Sequence, residues 1–132
     1  MTESYWSRVV ARWKQQRRQM SIRQRQIQWD ADEVRVIAYF KDGHAEIEWS
    51  KAWVEIQKAV AFKQDLYVHD CICLGLQDVS GSWQGMDEEM AGWGEFMAAL
   101  PAHLSGCVAW ESVWSEVAMP PFRTNTAVLF ER

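Results

Sequence analysis

The stretch VRVIAYF (34–40), KDG (41–43), HAEIEW (44–49) decides the fold. Apolar residues alternate on both sides of an Asp-Gly pair, and Asp-Gly supplies the positive φ angles that a tight hairpin turn demands. An antiparallel β-hairpin is expected, with Ala45, Ile47 and Trp49 on one face of its second strand and His44, Glu46 and Glu48 on the other. Upstream, SIRQRQIQW (21–29) reads two ways: Gln24 and Ile27 would extend a preceding helix, whereas Ile27 and Trp29 share one face of a strand. A strand over 22–29 is preferred, since Asp30, Ala31 and Asp32 then form a turn.

Downstream, Ser50 is placed to cap a short helical turn through Trp53, and EIQKAVAF (55–62) carries Ile56, Lys58, Val60 and Phe62 at alternate positions of a further strand. In LYVHDCICLGL (66–76), Val68, Ile72 and Leu74 face one way and Cys71 and Cys73 the other. Both faces are apolar, which marks a central strand. DVSGSWQG (78–85) is rich in turn residues with room for a short strand.

The second half turns helical. In MDEEMAGWGEFMAAL (86–100), Met90, Trp93, Phe96, Met97 and Leu100 recur at helical spacing, Asp87 is placed as N-cap and Pro101 as the stop. Gly92 and Gly94 each weaken such a helix by about 1 kcal/mol relative to Ala, which predicts a close approach to a sheet. WESVWSEV (110–117) aligns Trp110, Val113, Trp114 and Val117, Pro120 and Pro121 end it, and TAVLFER (126–132) is a last strand. The expected class is α+β: a mainly antiparallel sheet of about five to six strands covered by helices from the C-terminal half.

A separate amphipathic helix is expected at the N-terminus, over about residues 3–20. Trp6, Val9, Val10, Trp13 and Met20 share one stripe, with Glu3 early and the Arg and Lys residues late, as the helix dipole favours. Residues 1–28 carry seven basic side chains against Glu3 alone, a net of +6, within a chain of net charge −4; residues 29–132 therefore hold −10. The sequence divides into a basic arm (1–28) and an acidic body (29–132).

The 132 residues fit one domain, and nine tryptophans among 17 aromatic residues predict a substantial core. Trp49, Trp53, Trp93, Trp110 and Trp114 are expected in it. An odd count of three cysteines gives no disulfide framework, no secretory pattern opens the chain, and no uncharged run reaches the roughly 20 residues of a membrane span. A cytoplasmic protein is expected.

His69, Cys71 and Cys73 alternate along one strand and so share a face, but same-face neighbours about 7 Å apart converge poorly on a tetrahedral zinc. His103 and Cys107, the candidates for a fourth ligand, sit in no chelating loop, and inert core thiols are the expectation. A Cys nucleophile paired with His44, His69 or His103 has no local signature, and phosphate-binding and dinucleotide-binding glycine patterns are absent from the sequence. No cofactor, metal or catalytic residue is expected.

Two charge constellations remain. Asp87, Glu88 and Glu89, with Asp65 and Asp70 flanking the central strand, form an acidic surface suited to a basic protein partner; Asp78 flanks that strand too. On the arm, the preferred reading is an amphipathic helix that packs Trp6, Val9, Val10 and Trp13 on its own body while its basic face offsets that body's −10. Arg12, Lys14, Arg17, Arg18, Arg23 and Arg25, interleaved with Trp6 and Trp13, could instead neutralise phosphates and stack on bases, which makes nucleic-acid association the alternative. A membrane partner is not expected.

Trp53, Ile56, Val60, Phe62, Lys63, Asp65, Leu66, Asp70, Ile72, Cys73, Leu74, Glu89, Gly92, Trp93, Leu100, Pro101, Pro120, Phe122, Asn125 and Thr126 together resemble a family of small uncharacterised bacterial proteins over about two thirds of the chain. The layout of hairpin, short turn on W-x-x-W, further strands and covering helix is also similar to pleckstrin-homology-like immunity proteins of bacterial toxin systems. That similarity implies a non-enzymatic protein that binds and neutralises one toxin, and no catalytic residues to carry over.

Overall fold

The strand signals around the Asp-Gly turn translate into two antiparallel sheets. A computed structural model describes residues 22–65, 70–119 and 125–132, with Asp65 described by its backbone alone. The first sheet has the order β1-β2-β3, from β1 (Ile22–Trp29), β2 (Glu33–Phe40) and β3 (Ala45–Ala52). The second has the order β6-β5-β4-β7, from β4 (Ile56–Asp65), β5 (Asp70–Asp78), β6 (Trp83–Asp87) and β7 (Thr126–Glu131). The class is α+β, with seven described strands in two sheets where about five or six in one were expected. The N-terminal helix predicted for 3–20 lies outside the described residues, and no described helix is long and apolar enough to cross a membrane.

The sheets meet at both ends of their sequence. A 3-10 turn at Trp53–Glu55 joins β3 to β4, and the chain after β6 runs beside β1, where the Ile27 amide donates to the Ala91 carbonyl and the Ala91 amide to that of Arg25, both at 2.9 Å. Ser50 is a strand residue and does not cap that turn, whose N-cap is Ala52 with no side-chain hydrogen bond. Arg132 closes the same corner from the C-terminal strand, donating to the carbonyls of Ile56 and Trp53.

Two bulges rewrite the expected alternation. The β2–β3 register runs Val36 to Trp49 and then Ile37 to Ile47, so Glu48 is the extra residue. Trp49 therefore packs on the core while Ile47, predicted to share its face, is 60% exposed. In β4, a shift between Ile56 and Lys58 separates Ile56 from the Lys58, Val60 and Phe62 series. Ile56 joins Ala59 and Ala61 in the core, and Val60 and Phe62 lie on the opposite face.

The core lies between the sheets. Ile27, Val34 and Val36 of the first and Ala59, Ala61, Leu74, Leu76 and Met86 of the second enclose Phe96, Met97 and Leu100 of helix α1 (Trp93–His103). Phe96 is the hub: Trp29 meets it edge-on at 5.2 Å, Trp53 stacks on it at 6.0 Å, and Trp53 stacks in turn on His103 at 4.6 Å. Asp87 is the last residue of β6 and not the N-cap of α1, which is Gly92, and Pro101 lies inside the helix. Gly92 makes the predicted close approach, since a Cβ there would stand 2.9 Å from the Ile27 carbonyl oxygen; Gly94 makes none.

Helix α2 (Trp110–Ala118) buries Val117, with Trp110 and Val113 half-buried, but Trp114 is 49% exposed and not core as expected. Its last carbonyls have no partners within the helix, and side chains from β4 and from the residue before β7 satisfy them. Asn125 donates to Val117 and Met119, and the buried Lys63 ammonium donates to Ala118 at 3.0 Å while pairing with Asp70 at 3.4 Å.

Lys51 is buried at the end of β3 and pairs at 2.5 Å with Asp78 at the end of β5, tying the sheets together. The Lys51 ammonium, followed by the Ser80 hydroxyl, holds the Asp78 carboxyl down at about 2, below its ordinary 3.8. A depressed folded-state value contributes stability above the unfolded value, and this contribution is lost as pH falls. Urea midpoints should therefore drop between about pH 4 and pH 2, and Lys51→Met should be less stable at neutral pH with a flatter profile across that window. Gly92→Ala, at φ +87°, should destabilise the chain by about 2 kcal/mol or more in the same assay, through the left-handed backbone and the clash with Ile27.

Candidate functional site

The acidic candidates gather at one end of the second sheet, but they do not form one uniform surface. Asp65, the last residue of β4, and Asp70, the first of β5, are cross-strand partners. Asp70 is turned inward to Lys63, which commits its carboxylate to the corner where α2 ends. Asp87 is almost fully buried on the face of the second sheet that points away from the core, opposite Cys73, and accepts the Glu89 amide at 2.9 Å. Glu88 and Glu89 are exposed.

The backbone fixes these two glutamates in place. The Glu88 amide donates to the Ile72 carbonyl at 2.9 Å, and the Glu88 carboxylate accepts the Ile72 amide at 3.1 Å, so residue 88 is pinned twice to the central strand. Glu89 and Met90 then turn the chain towards β1. The result is an acidic rim of Glu88 and Glu89 held by main-chain hydrogen bonds.

The basic candidates are divided. Arg12, Lys14, Arg17 and Arg18 lie outside the described residues. Residues 22–28, counted with the basic arm from charge alone, form β1 of the first sheet. Arg23 is exposed, whereas Arg25 is buried and forks onto both carboxylate oxygens of Glu48. Glu48 was expected on the strand face opposite Trp49, with His44 and Glu46; the bulge in β3 brings it to Arg25, and bulge position leaves no mark in hydrophobic alternation. A cleft of about 310 Å³ runs between the start of β1 and the end of β6, lined by Arg23, Arg25, Asp87, Glu89 and Met90. The structure thus sets members of the two opposite-charge sets side by side.

Cys71 and Cys73 share one face, as expected, and His69 lies outside the described residues. The Cys71 thiol approaches Asp87 and Glu89, with one potential ligand atom from each within 4.8 Å of the others. Sulfur and two carboxylates are a donor set that a borderline divalent cation accepts. Cys73 points the other way chemically. Its hydrogen bond with Cys71, burial, and the charges of Asp87 and Glu88 push its thiol well above the ordinary value. Burial raises the Cys107 thiol to about 11. Neither Cys73 nor Cys107 is poised as a thiolate nucleophile. This convergence was hidden from the sequence, since it needs the β5–β6 register.

The comparisons with known proteins give no match: no protein-family model, no curated protein and no solved structure.

The burial difference between the two arginines of β1 is testable. Arg25→Met leaves the Glu48 carboxylate without its guanidinium in a largely buried place and should cost about 3 kcal/mol of stability. Arg23→Met should stay within about 0.5 kcal/mol, as exposed substitutions do. Urea denaturation of the two variants checks both values.

Proposed function

We propose that this chain is a non-enzymatic protein-binding module that holds a basic protein partner through its acidic rim, in the manner of an immunity protein neutralising a toxin. The observation that carries the reading is the pair of exposed carboxylates of Glu88 and Glu89, anchored by the hydrogen bonds of residue 88 to Ile72. A charge fixed to a sheet loses little freedom when a partner docks, so it contributes to encounter rate and selectivity. The −10 charge of residues 29–132 adds a long-range field of the same sign.

Two further points favour a binding role over a chemical one. The raised Cys73 and Cys107 thiols argue against either of these two as a nucleophile. The resemblance of the sequence layout to pleckstrin-homology-like immunity proteins also motivates a binding role, and a cytoplasmic location suits that role. The nucleic-acid alternative draws on six basic residues, of which Arg25 is already engaged by Glu48.

Affinity purification of the full chain from its native cell at physiological salt tests the proposal. It predicts a stoichiometric basic protein with the unaltered chain and at least about a tenfold loss of its recovery with Glu88→Lys/Glu89→Lys, since like charges at a rim repel a basic surface. Recovery of monomer alone, or equal recovery with the charge-reversed variant, contradicts it.

A further inference from the structure

The pairing of β5 with β6 changes what the Cys71 thiol can do. Two same-face positions of one strand stand about 7 Å apart, too far for their side chains to converge well on one cation. Residues facing each other on neighbouring strands are closer, with Cβ atoms about 4.5 to 5.5 Å apart. The register sets Cys73 opposite Asp87, so Cys71, two residues back along β5, lies beside the chain that leaves β6 through Glu88 and Glu89. The Glu88 amide, bonded to the Ile72 carbonyl at 2.9 Å, holds that chain against β5. The Cys71 sulfur, one Asp87 oxygen and one Glu89 oxygen then lie within 4.8 Å of one another.

We propose that Cys71, Asp87 and Glu89 form a binding site for a borderline divalent cation of the zinc class. The donor set selects that class. A thiolate is a poor ligand for magnesium or calcium and a carboxylate a poor one for copper(I), which leaves the zinc-like ions. In a tetrahedral site with a metal–sulfur bond of about 2.3 Å and metal–oxygen bonds of about 2.1 Å, neighbouring donors stand about 3.4 to 3.6 Å apart. The three donors need to close by about 1 Å to reach that spacing, and the long Glu89 side chain, exposed at the surface, supplies the adjustment.

The site has an entrance and an oriented ligand. Asp87 and Glu89 both line the cleft of about 310 Å³ between the start of β1 and the end of β6, which brings water to the remaining coordination position. Asp87 accepts the Glu89 amide at 2.9 Å, so the main chain orients its carboxylate. Coordination displaces the Cys71 proton into solvent. The thiolate and two carboxylates carry three negative charges, a divalent ion leaves one, and Arg23 in the same cleft offsets it.

Glu89 is shared with the acidic rim of the proposed partner surface. The test therefore alters Cys71 and Asp87 and leaves both rim glutamates in place, so that loss of the metal and loss of the partner are separable.

Cobalt(II), a spectroscopic stand-in for zinc, added to the reduced and chelator-treated full chain tests the site. A thiolate-to-cobalt charge-transfer band is expected with the unaltered protein, with Cys73→Ser and with Cys107→Ser, and is lost in Cys71→Ser. Asp87→Asn should weaken cobalt binding by about tenfold or more, at least what removal of an outer-shell partner costs. No band in the folded unaltered chain, an undiminished band in Cys71→Ser, or unchanged affinity in a folded Asp87→Asn overturns the proposal. Should the variants not fold, X-ray absorption at the zinc edge of the zinc-treated unaltered chain decides. One sulfur at about 2.3 Å among lighter ligands supports the site; no sulfur, or two or more, overturns it.

Discussion

Strands β4 and β5 leave almost no face to water, and most of the molecule follows from that constraint. Ala59, Ala61, Leu74 and Leu76 on one side and Val60, Phe62, Cys71 and Cys73 on the other are all buried. A strand pair of this kind needs a layer above and a layer below. Exposing Val60 and Phe62 alone would forgo about 1.5 to 3 kcal/mol each. The inner layer is built from α1 and the three-stranded sheet, and the Lys51–Asp78 pair ties the two sheets together.

Small residues set how closely those layers approach. Ala59 and Ala61 give room for the Phe96 ring with Trp29 and Trp53 around it, and Gly92 lets α1 start against the Ile27 carbonyl. The end of α2 is secured differently, by the Lys63 ammonium and the Asn125 amide on carbonyls that the helix cannot satisfy itself. Lys63 and Asp70 thus belong to the architecture. Glu88 and Glu89 reach the surface at the margin of the second sheet, where the central strand holds residue 88.

Much of this was legible in the residues. The Asp-Gly hairpin, the two-faced apolar character of the 70–76 strand, the helix stripe of Phe96, Met97 and Leu100, and the terminal strand all follow from local periodicity and turn chemistry. The bulges were not legible, because an inserted residue shifts the alternation without changing composition; Ile47, Glu48 and Ile56 moved face for that reason. Asp87 was misplaced because an acidic residue ahead of a helical stripe reads as an N-cap, whereas the chain uses Gly92 and keeps Asp87 in β6. Partition into two sheets was hidden as well, since pairing between distant strands has no local signature. At the candidate site, the sequence identified the acidic residues but not their division into a buried Asp87, an ion-paired Asp70 and an exposed Glu88 and Glu89.

The central claim is that the first sheet and α1 close over the inner face of the second sheet around Phe96. Nuclear Overhauser contacts in the full-length protein, with selectively labelled Trp indoles and Phe rings, measure it most directly. The account predicts cross-peaks from the Phe96 ring protons to the indole protons of Trp29 and Trp53. A folded protein in which the Phe96 ring contacts neither indole would contradict it.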